Sequence, residues 1–460
     1  MMSTNILNLT SYEVIALEEN QHDYHINAEV KVPPLICPLC KSDKIVGFGR
    51  REQLVKDLPM HGKRVGIYVA TRRMQCRSCN KTFSEALPDV DERRSMTSRL
   101  LDWIGKQAVK RTFSSIADEV GVAEGTVRAV FSDYIKQLQQ TIRFETPRWM
   151  GIDEIHLIKP RGVITNIENN TVVELLHNRN KDTVVRYLHH LDGKEQIQYV
   201  AMDMWVPYRD AIRAVIPQAQ IVIDKFHVLK MANEALEKVR KGLRESLTLK
   251  ERRGLMHDRF VLLKRAHDLG DKERLLLSGW TKNYDVIGIA YQLKEAFFGI
   301  YDAESSDEAA AKYIEWKRGV TPEAAPAFSD LIRAWENWEP YILAYFDHPI
   351  TNAYTESLNN LIRVMNRLGR GYSFEALRAK ILFSEGAHKH RNNRPKFERR
   401  EKERLVLLPE VPVDLPPLTD ELEPPASKVA GSSSTPSTKQ KKNYGSDIST
   451  LISMIENGEL

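Results

Sequence analysis

The stretch from Tyr199 to Lys230 reads YVAMDMWVPYRDAIRAVIPQAQIVIDKFHVLK and places an acidic residue directly after each of two short apolar runs. An amphipathic segment separates the two runs, so the order predicts strand, acid, helix, strand, acid. A carboxylate at the end of a buried strand is costly to desolvate unless it binds a cation or a charged partner. Asp203 and Asp224 are therefore the first candidates for chemistry, and at this stage neither is preferred.

Length and composition indicate a globular protein of several domains. The chain has 460 residues, which is more than one hydrophobic core usually supports, and 42% of them are hydrophobic. Apolar runs of membrane-spanning length and a signal peptide are both missing from the sequence, so we expect a cytoplasmic protein without a membrane partner. The net charge of +5 is small, but basic residues concentrate in two stretches. Residues 230–265 hold 11 Lys and Arg against 5 Asp and Glu, and residues 361–404 hold 13 against 5.

The four cysteines form two C-x-x-C pairs and leave no cysteine over. Two such pairs can complete a tetrahedral zinc site, because each tight turn offers two thiolates. A redox C-x-x-C or a set of buried free thiols is the alternative, although a redox site needs only one pair. We therefore predict a structural Zn²⁺ ion that folds a small basic module. Its ligands are Cys37, Cys40, Cys76 and Cys79.

Residues 98–138 change to a helical period and match the spacing of a helix-turn-helix. Ala117 is small within the first helix and Gly121 stands at the turn. The second helix, from about Glu124 to Ile135, is predicted to enter a DNA groove, with Thr126 and Arg128 facing outwards. The alternative is an ordinary two-helix hairpin with a glycine turn, which has a similar pattern.

After residue 147, apolar runs of strand length follow in the order of a ribonuclease-H-like sheet. Three runs form a meander, and then come helix, strand, helix and strand. In that fold the first strand carries a metal-binding acid at its centre, and the fourth carries another at its end. Asp153 and Asp203 occupy these two places in the sequence.

A third carboxylate is expected from a helix beside the sheet, and Glu356 in NAYTESLNNLIR supplies it. Three oxygen ligands suit Mg²⁺ or Mn²⁺, and a pair of such ions supports phosphoryl transfer. Each acid alone could equally be a capping or salt-bridging residue. On the same helix Asn359 is predicted to reach phosphate or base edges, and Arg363 and Arg367 to neutralise phosphates, with a solvated helix face as the alternative.

Taken together, these motifs resemble the DDE transposases of bacterial insertion sequences, in the ISL3 group. The resemblance covers about residues 35–395 and depends on the two C-x-x-C pairs, the helix-turn-helix, GIDE, AMDMW, DKFH and TNAYTESLNN in this order. It implies that Asp153, Asp203 and Glu356 bind the catalytic metals. It also implies a C/D-x-x-H element, here Asp224 to His227, whose two outer residues support the site; an alternative for His227 is a helix cap.

The predicted fold class is multidomain, α+β and α/β. The helical insertion contains four tryptophans that either stack on an unpaired base or, more commonly, belong to the core: Trp280, Trp316, Trp335 and Trp338. The predicted parts are an N-terminal segment (1–33), a zinc-binding module (34–90), a helix-turn-helix domain (91–145), a ribonuclease-H-like core (146–228 and 346–400) interrupted by an all-helical insertion (229–345), and a disordered Pro- and Ser-rich tail (405–460) with a possible short terminal helix at 447–455.

The resemblance implies an enzyme that binds terminal inverted repeats and carries out metal-dependent DNA cleavage and strand transfer. It also implies at least a homodimer when the two DNA ends are paired. Two alternatives remain at this stage. One is a DNA-binding regulator derived from a transposase, and the other is a ribonuclease-H-like nuclease or resolvase.

Overall fold

The computed structural model describes residues 8–386, and they begin with a seven-stranded sheet. The strand order is β1-β2-β4-β3-β7-β6, with β5 on the other side of β4. These strands are β1 (Tyr12–Glu19), β2 (Asp23–Val30), β3 (Ile45–Met60), β4 (Lys63–Cys76), β5 (Thr82–Ser84), β6 (Val90–Asp91) and β7 (Met96–Thr97). The first two strands fall in the N-terminal segment, for which no secondary structure is predicted from the sequence. The alternating burial of β2 explains its place in the sheet, because its apolar residues face the same core as Val65, Ile67 and Val69 of β4.

Three helices follow the sheet: α1 (Ser98–Lys110), α2 (Phe113–Val120) and α3 (Glu124–Thr141). Thr97 and Thr112 cap the first two helices by accepting hydrogen bonds from backbone N–H groups of the first turn. Gly121 ends α2 with a φ of +72°, which is the left-handed conformation that favours glycine. The predicted helix-turn-helix is therefore present, although its second helix extends beyond Ile135 to Thr141.

A second sheet of five strands has the order β10-β9-β8-β11-β12. Strands β8, β9 and β10 are antiparallel, whereas β11 and β12 run parallel to β8. This is the ribonuclease-H-like order predicted from the sequence. The strands and the two helices among them are β8 (Trp149–His156), β9 (Pro160–Asn166), β10 (Thr171–Leu175), α4 (Lys181–His189), β11 (Tyr199–Met202), α5 (Val206–Val215) and β12 (Gln220–Ile223).

The insertion between β12 and the last two helices is helical throughout. Its elements are α6 (Lys225–Gly242), α7 (Leu249–His257), α8 (Arg259–Leu263), α9 (Asp271–Asn283), α10 (Asp285–Ile300), α11 (Ser306–Arg318) and α12 (Ala325–Asp347), apart from short 3₁₀ turns, and it is followed by α13 (Ala353–Leu368) and α14 (Phe374–Glu385). Trp316, Trp335 and Trp338 are at most 5% exposed and pack in its core. Trp280 is half-buried and donates a hydrogen bond to Asp258. Three of the four tryptophans are therefore core residues and are not placed to stack on a base.

Within residues 8–386, no helix is both long and apolar enough to cross a membrane. The predicted tail at 405–460, its possible helix at 447–455 and the basic residues 387–404 lie outside the described residues.

Helices α1 to α3 share one hydrophobic cluster with the core helices α13 and α14. The amine of Lys380 on α14 is buried at this junction and donates hydrogen bonds to the carbonyl oxygens of Ala108 and Arg111. It also lies 4.4 Å from the ring centre of Phe113. These contacts attach the C-terminal end of α1 to the ribonuclease-H-like core.

Burial, together with repulsion from Arg128, lowers the pKa of Lys380 from 10.5 to about 7. Between these two values the unfolded chain holds a proton that the folded chain has released, so this lysine makes stability rise as pH increases through that window. We expect the Lys380→Met variant to lack this contribution. Comparing the midpoints of urea unfolding of both proteins from pH 7 to pH 10 measures it, and two parallel pH profiles would contradict it.

Candidate functional site

Three aspartates lie side by side at one edge of the ribonuclease-H-like sheet. Asp153 belongs to β8, and its neighbour Ile152 pairs with Met202, the residue before Asp203. Met202 in turn pairs with Ile223, the residue before Asp224. Neighbouring strands are about 4.8 Å apart, so the register places Asp203 between the other two acids. Asp203 is therefore the strand neighbour of Asp153, whereas Asp224 is one strand further away.

Helix α13 brings Glu356 to the same edge of the sheet, and a buried polar network fixes its position. Thr355 and Thr165 on β9 share a hydrogen bond of 2.7 Å between their hydroxyl oxygens. Asn352 donates a hydrogen bond of 3.2 Å from its amide nitrogen to the carbonyl oxygen of Ile152. The helix can approach the strand this closely because residue 151 is glycine, and a Cβ there would come within 2.6 Å of three side-chain oxygens.

Asn359 is not at the molecular surface. It was predicted to contact DNA, but it is only 3% exposed and faces the interior. Its amide nitrogen donates a hydrogen bond of 2.6 Å to Asp153 Oδ2. The helical period could not separate these roles, because the outcome depends on how α13 rotates against the sheet. Asn359 orients a candidate catalytic carboxylate instead of presenting its amide on the surface.

His227 lies among three of the four carboxylates. Its Nδ1 is 2.9 Å from Asp203 Oδ1, 3.9 Å from Asp224 Oδ2 and 4.0 Å from Glu356 Oε1. Although this contact with Asp203 is short, Asp203 Oδ1 and His227 Nδ1 are both buried and neither has a hydrogen-bond partner among residues 8–386. Asp224 is the N-cap of α6, because its carboxylate accepts a hydrogen bond from the N–H of Phe226. The residue that caps this helix is therefore Asp224, and His227 is not a helix cap.

The electrostatics of the site show an excess of negative charge. Burial, and then the charge of Asp203, raise the pKa of Asp153 to about 7. Burial also raises the pKa values of Asp224 and Glu356 above their usual range. Burial alone would lower the pKa of His227, but the neighbouring carboxylates, Asp203 foremost, raise it. Such shifts are typical of a site that is completed by a cation.

The oxygen donors and the unpartnered Asp203 Oδ1 fit a divalent cation such as Mg²⁺ or Mn²⁺. Ligand atoms within 4.8 Å of one another occur for Asp224, His227 and Glu356, which is the one such group of acids and histidines in the part of the chain described. The predicted trio of Asp153, Asp203 and Glu356 is more open. In a two-metal site the ions are about 3.5–4 Å apart, so their ligands need not all lie close to one another. The wider spacing of this trio is therefore compatible with two ions.

The four cysteines converge at the base of the β3–β4 hairpin. The Sγ atoms of Cys37 and Cys79 are 3.8 Å apart, and those of Cys40 and Cys76 are 3.5 Å apart. Tetrahedral zinc with Zn–S bonds of about 2.3 Å requires sulfur atoms separated by about 3.8 Å. The backbone N–H of Cys79 is the leading cause that lowers the pKa of Cys76 to about 6, which favours the thiolate. This geometry supports a structural zinc ion and not a single redox pair.

We expect Cys76→Ser to lose bound zinc and, with it, the fold of the N-terminal module. Cys76 is fully buried, and a small module of this type gains much of its stability from the metal. The measurement is zinc content, at about one ion per chain in the parent protein. Ser78→Ala alters an exposed hydroxyl beside the same turns and is the matched control. Full zinc retention in Cys76→Ser would contradict the ligand assignment.

Around the helix-turn-helix, the structure places basic residues that are not among the predicted DNA contacts. A surface cavity of about 500 Å³ lies beside the start of α3 and is lined by Thr126, Lys56 and Arg93, among others. Arg128 is half-exposed and donates hydrogen bonds of 2.9 Å and 2.6 Å to Glu124. The basic composition of the zinc module is consistent with these additional basic residues. Only the packing of β3 against the turn shows that Lys56 and Arg93 are the ones close to α3.

Arg363 and Arg367 are exposed on α13, as their assignment to phosphates requires. Arg363 donates a hydrogen bond of 2.8 Å to Asn360. Both arginines follow Glu356 on the same helix by two turns or three, so they extend from the acidic site along the molecular surface.

The fold and the site place the chain among multidomain proteins with a Cys₄ module, a helix-turn-helix and a ribonuclease-H-like core. Comparison with known families agrees with this class. Residues 33–79 match the zinc finger of the transposases of IS204, IS1001, IS1096 and IS1165, and residues 85–135 match the helix-turn-helix domain of transposase family ISL3. Residues 150–381, half of the chain, match the ISL3 family model described as a transposase. The chain therefore belongs to the ISL3 family of transposases.

Individual relatives are similar at moderate identity. The chain is 23% identical over 326 residues to the transposase for insertion sequence element IS1001 of Bordetella parapertussis, covering 69% of this chain and 80% of the relative. It is 24% identical over 348 residues to the transposase for IS1557 of Mycobacterium tuberculosis, covering 68% of this chain and 78% of the relative.

Proposed function

We propose that this transposase binds the terminal inverted repeats of its element, cuts the 3′ ends by hydrolysis and joins them to target DNA by transesterification. The observation that carries the proposal is the register that sets Asp203 beside Asp153, with Glu356 held over the same edge of the sheet by α13. The shared row of acids supports this reaction more than simple DNA binding, because a binding module has no need of buried, uncompensated carboxylates.

In this proposal Asp153, Asp203 and Glu356 hold divalent metal ions, Mg²⁺ or Mn²⁺. When bound, such ions activate the attacking oxygen and stabilise the departing 3′ oxygen of a phosphodiester. Asn359 keeps Asp153 in place through its hydrogen bond. The partly buried edge limits water around the acids, so the charges there act more strongly than at an exposed surface.

Asp224 and His227 support the metal-binding acids. Asp224 caps α6 and so fixes the start of the helix that carries His227. The imidazole lies 2.9 Å from Asp203 and 4.0 Å from Glu356, where its cation offsets part of the carboxylate repulsion. Asp224 and His227 therefore keep the acids in position in the absence of DNA.

DNA recognition is assigned to the N-terminal part of the chain. The Zn²⁺ module and the helix-turn-helix bind the terminal repeat, with Thr126 and Arg128 on the groove-facing helix. Arg363 and Arg367 contact phosphates nearer the acids. The active complex contains at least two copies of the chain, because two ends of one element are joined together.

The test uses the purified protein, a labelled duplex with the end of the element, a target plasmid and Mg²⁺ or Mn²⁺. A denaturing gel separates nicked strands from joined products. We expect both products, and both must depend on the metal. Nicking without joining would indicate a nuclease or resolvase. Repeat-specific binding with neither product would indicate a regulator, and either outcome would overturn the proposal.

A further inference from the structure

A basic cavity of about 400 Å³ lies in the helical insertion, away from the acids. Its cationic lining residues come from the end of α6, the following turn and α7. Within the described part of the chain, no acidic residue lines it. The five cations are Arg240, Lys241, Arg244, Arg252 and Arg253.

Most of these positive charges are not neutralised by the protein. Arg240 pairs with Glu237 at 2.6 Å. Among the described residues, no carboxylate lies within ion-pair distance of the other four cations, and the Nε of Arg252 is buried without a hydrogen-bond partner. A buried donor without an acceptor costs free energy, and crowding like charges adds to that cost. Both costs are relieved when an anion with several oxygens enters the cavity.

The cavity also has an apolar side. Leu249 is 73% exposed and Met256 is 61% exposed, although both are large apolar residues that border the arginines. Apolar surface next to guanidinium groups suits a nucleic-acid backbone, whose sugar can lie on the leucine and methionine while its phosphate contacts the arginines. The volume is also in the range of small-molecule sites.

Helix α6 connects this cavity to the acidic site. It begins beside Asp224 and His227 and reaches Arg240 and Lys241 in its last turn. The rise of 1.5 Å per residue places Lys241 about 21 Å from His227 along the helix axis, and the two lie on nearly the same side of the helix. Lys230 is exposed on the same side of the helix as Lys241, because the two are about three turns apart. A DNA strand that lies along α6 would span about six nucleotide steps between the two sites.

We propose that this cavity binds the phosphodiester backbone of the DNA end, about six nucleotides from the phosphate that is cut. This inference rests on the proposed function, because the distance is counted from the acids as the cleavage site. The cavity then holds the DNA at a second point and sets its direction across Asp203 and Glu356.

The test compares the full-length Arg244→Gln/Arg253→Gln variant with Lys250→Gln/Lys272→Gln. Each removes two exposed charges that have no ion pair in the described region, but Lys250 and Lys272 do not line the cavity. Binding of a fluorescent terminal-repeat duplex and of an unrelated duplex is measured against salt without divalent metal. We expect the first variant to bind both about tenfold more weakly and to reduce the slope of log affinity against log salt by about two. For the control variant, we expect the loss of affinity and the change in salt slope each to be less than half of those values.

Duplexes with one uncharged methylphosphonate link then locate the contact. Wild type should lose affinity when the link is about six steps from the cut, whereas the cavity variant should be insensitive there. Equal behaviour of the two double variants would overturn the inference. An altered oligomeric state with an unchanged salt slope would assign the cavity to a protein partner and overturn it as well. If wild type fails to prefer the terminal repeat or to cut it, the proposed function fails instead.

Discussion

The Asp203→Asn variant is expected to lose at least about 10³-fold in cleavage rate, equivalent to about 4 kcal/mol of barrier. Asparagine keeps the shape of the side chain but removes the charge that lies next to Asp153 in the sheet register. Binding of the terminal repeat should stay within about twofold, because the substitution leaves Thr126, Arg128 and the cysteines of the zinc module unchanged. Single-turnover cleavage and equilibrium binding measure the two effects separately.

Asp224→Asn is the matched control for this substitution. Asparagine caps helices as well as aspartate does, so α6 should keep its start. We expect this variant to keep measurable cleavage and to show stabilisation by Mg²⁺ in thermal unfolding, whereas Asp203→Asn shows no such stabilisation. The reverse pattern would move the metal ligand from Asp203 to Asp224. That outcome has a structural basis, because Asp224, His227 and Glu356 already bring three ligand atoms within 4.8 Å.

Gly151→Ala should lower the cleavage rate by about 100-fold without touching any acid, since displacements of about 1 Å are enough for such losses. The new methyl group would come within 2.6 Å of the side-chain oxygens of Thr165, Asn352 and Thr355. These oxygens are buried and hydrogen-bonded to one another, so they cannot move aside without breaking the network that positions Glu356. The overpacking should also destabilise the protein by about 1–3 kcal/mol.

Gly279→Ala is the matched control, because it makes the same glycine-to-alanine substitution at a position with free space. Gly279 lies within α9, and no other atom of the described residues lies within 4 Å of the place that a Cβ would take. Alanine at that position should be neutral or stabilise the helix by up to about 1 kcal/mol. Unfolding in urea and single-turnover cleavage should be measured on both variants. A Gly151→Ala protein with unchanged cleavage would show that the close approach of α13 to β8 is unimportant for the site.

Several features of the fold and of the site are predictable from the sequence. Asp153 and Asp203 are predicted from their places in apolar runs of strand length, and Glu356 from the helix expected beside the sheet. The structure gathers all three at one edge of the sheet. The helix-turn-helix was found through Gly121, whose φ of +72° few other residues adopt. The strands of the N-terminal hairpin were missed, although Asp23–Val30 alternates in burial as a strand should.

Asn359 shows why side-chain roles were harder to assign. The sequence places it on the polar side of an amphipathic helix, and that side faces either solvent or the acids. The choice depends on contacts between residues about 200 positions apart in the chain, such as Asn359 with Asp153 and Thr355 with Thr165. Local periodicity carries no information about such contacts. The cavity of the insertion is likewise not predictable from local periodicity, because it forms where the end of α6 meets α7.

The sequence by itself determined the fold class, the order of strands and helices in the core and the cysteine pairs, and it predicted the domain bounds and the acids that bind metal. These follow from local patterns, because hydrophobic period, turn residues and ligand spacing act over short stretches of chain. Only the tertiary structure decided that Asp203 stands between Asp153 and Asp224, that Asn359 points inwards and that His227 faces three carboxylates. Strand register and the rotation of α13 set these relations, and both are fixed by packing between segments that are distant in sequence.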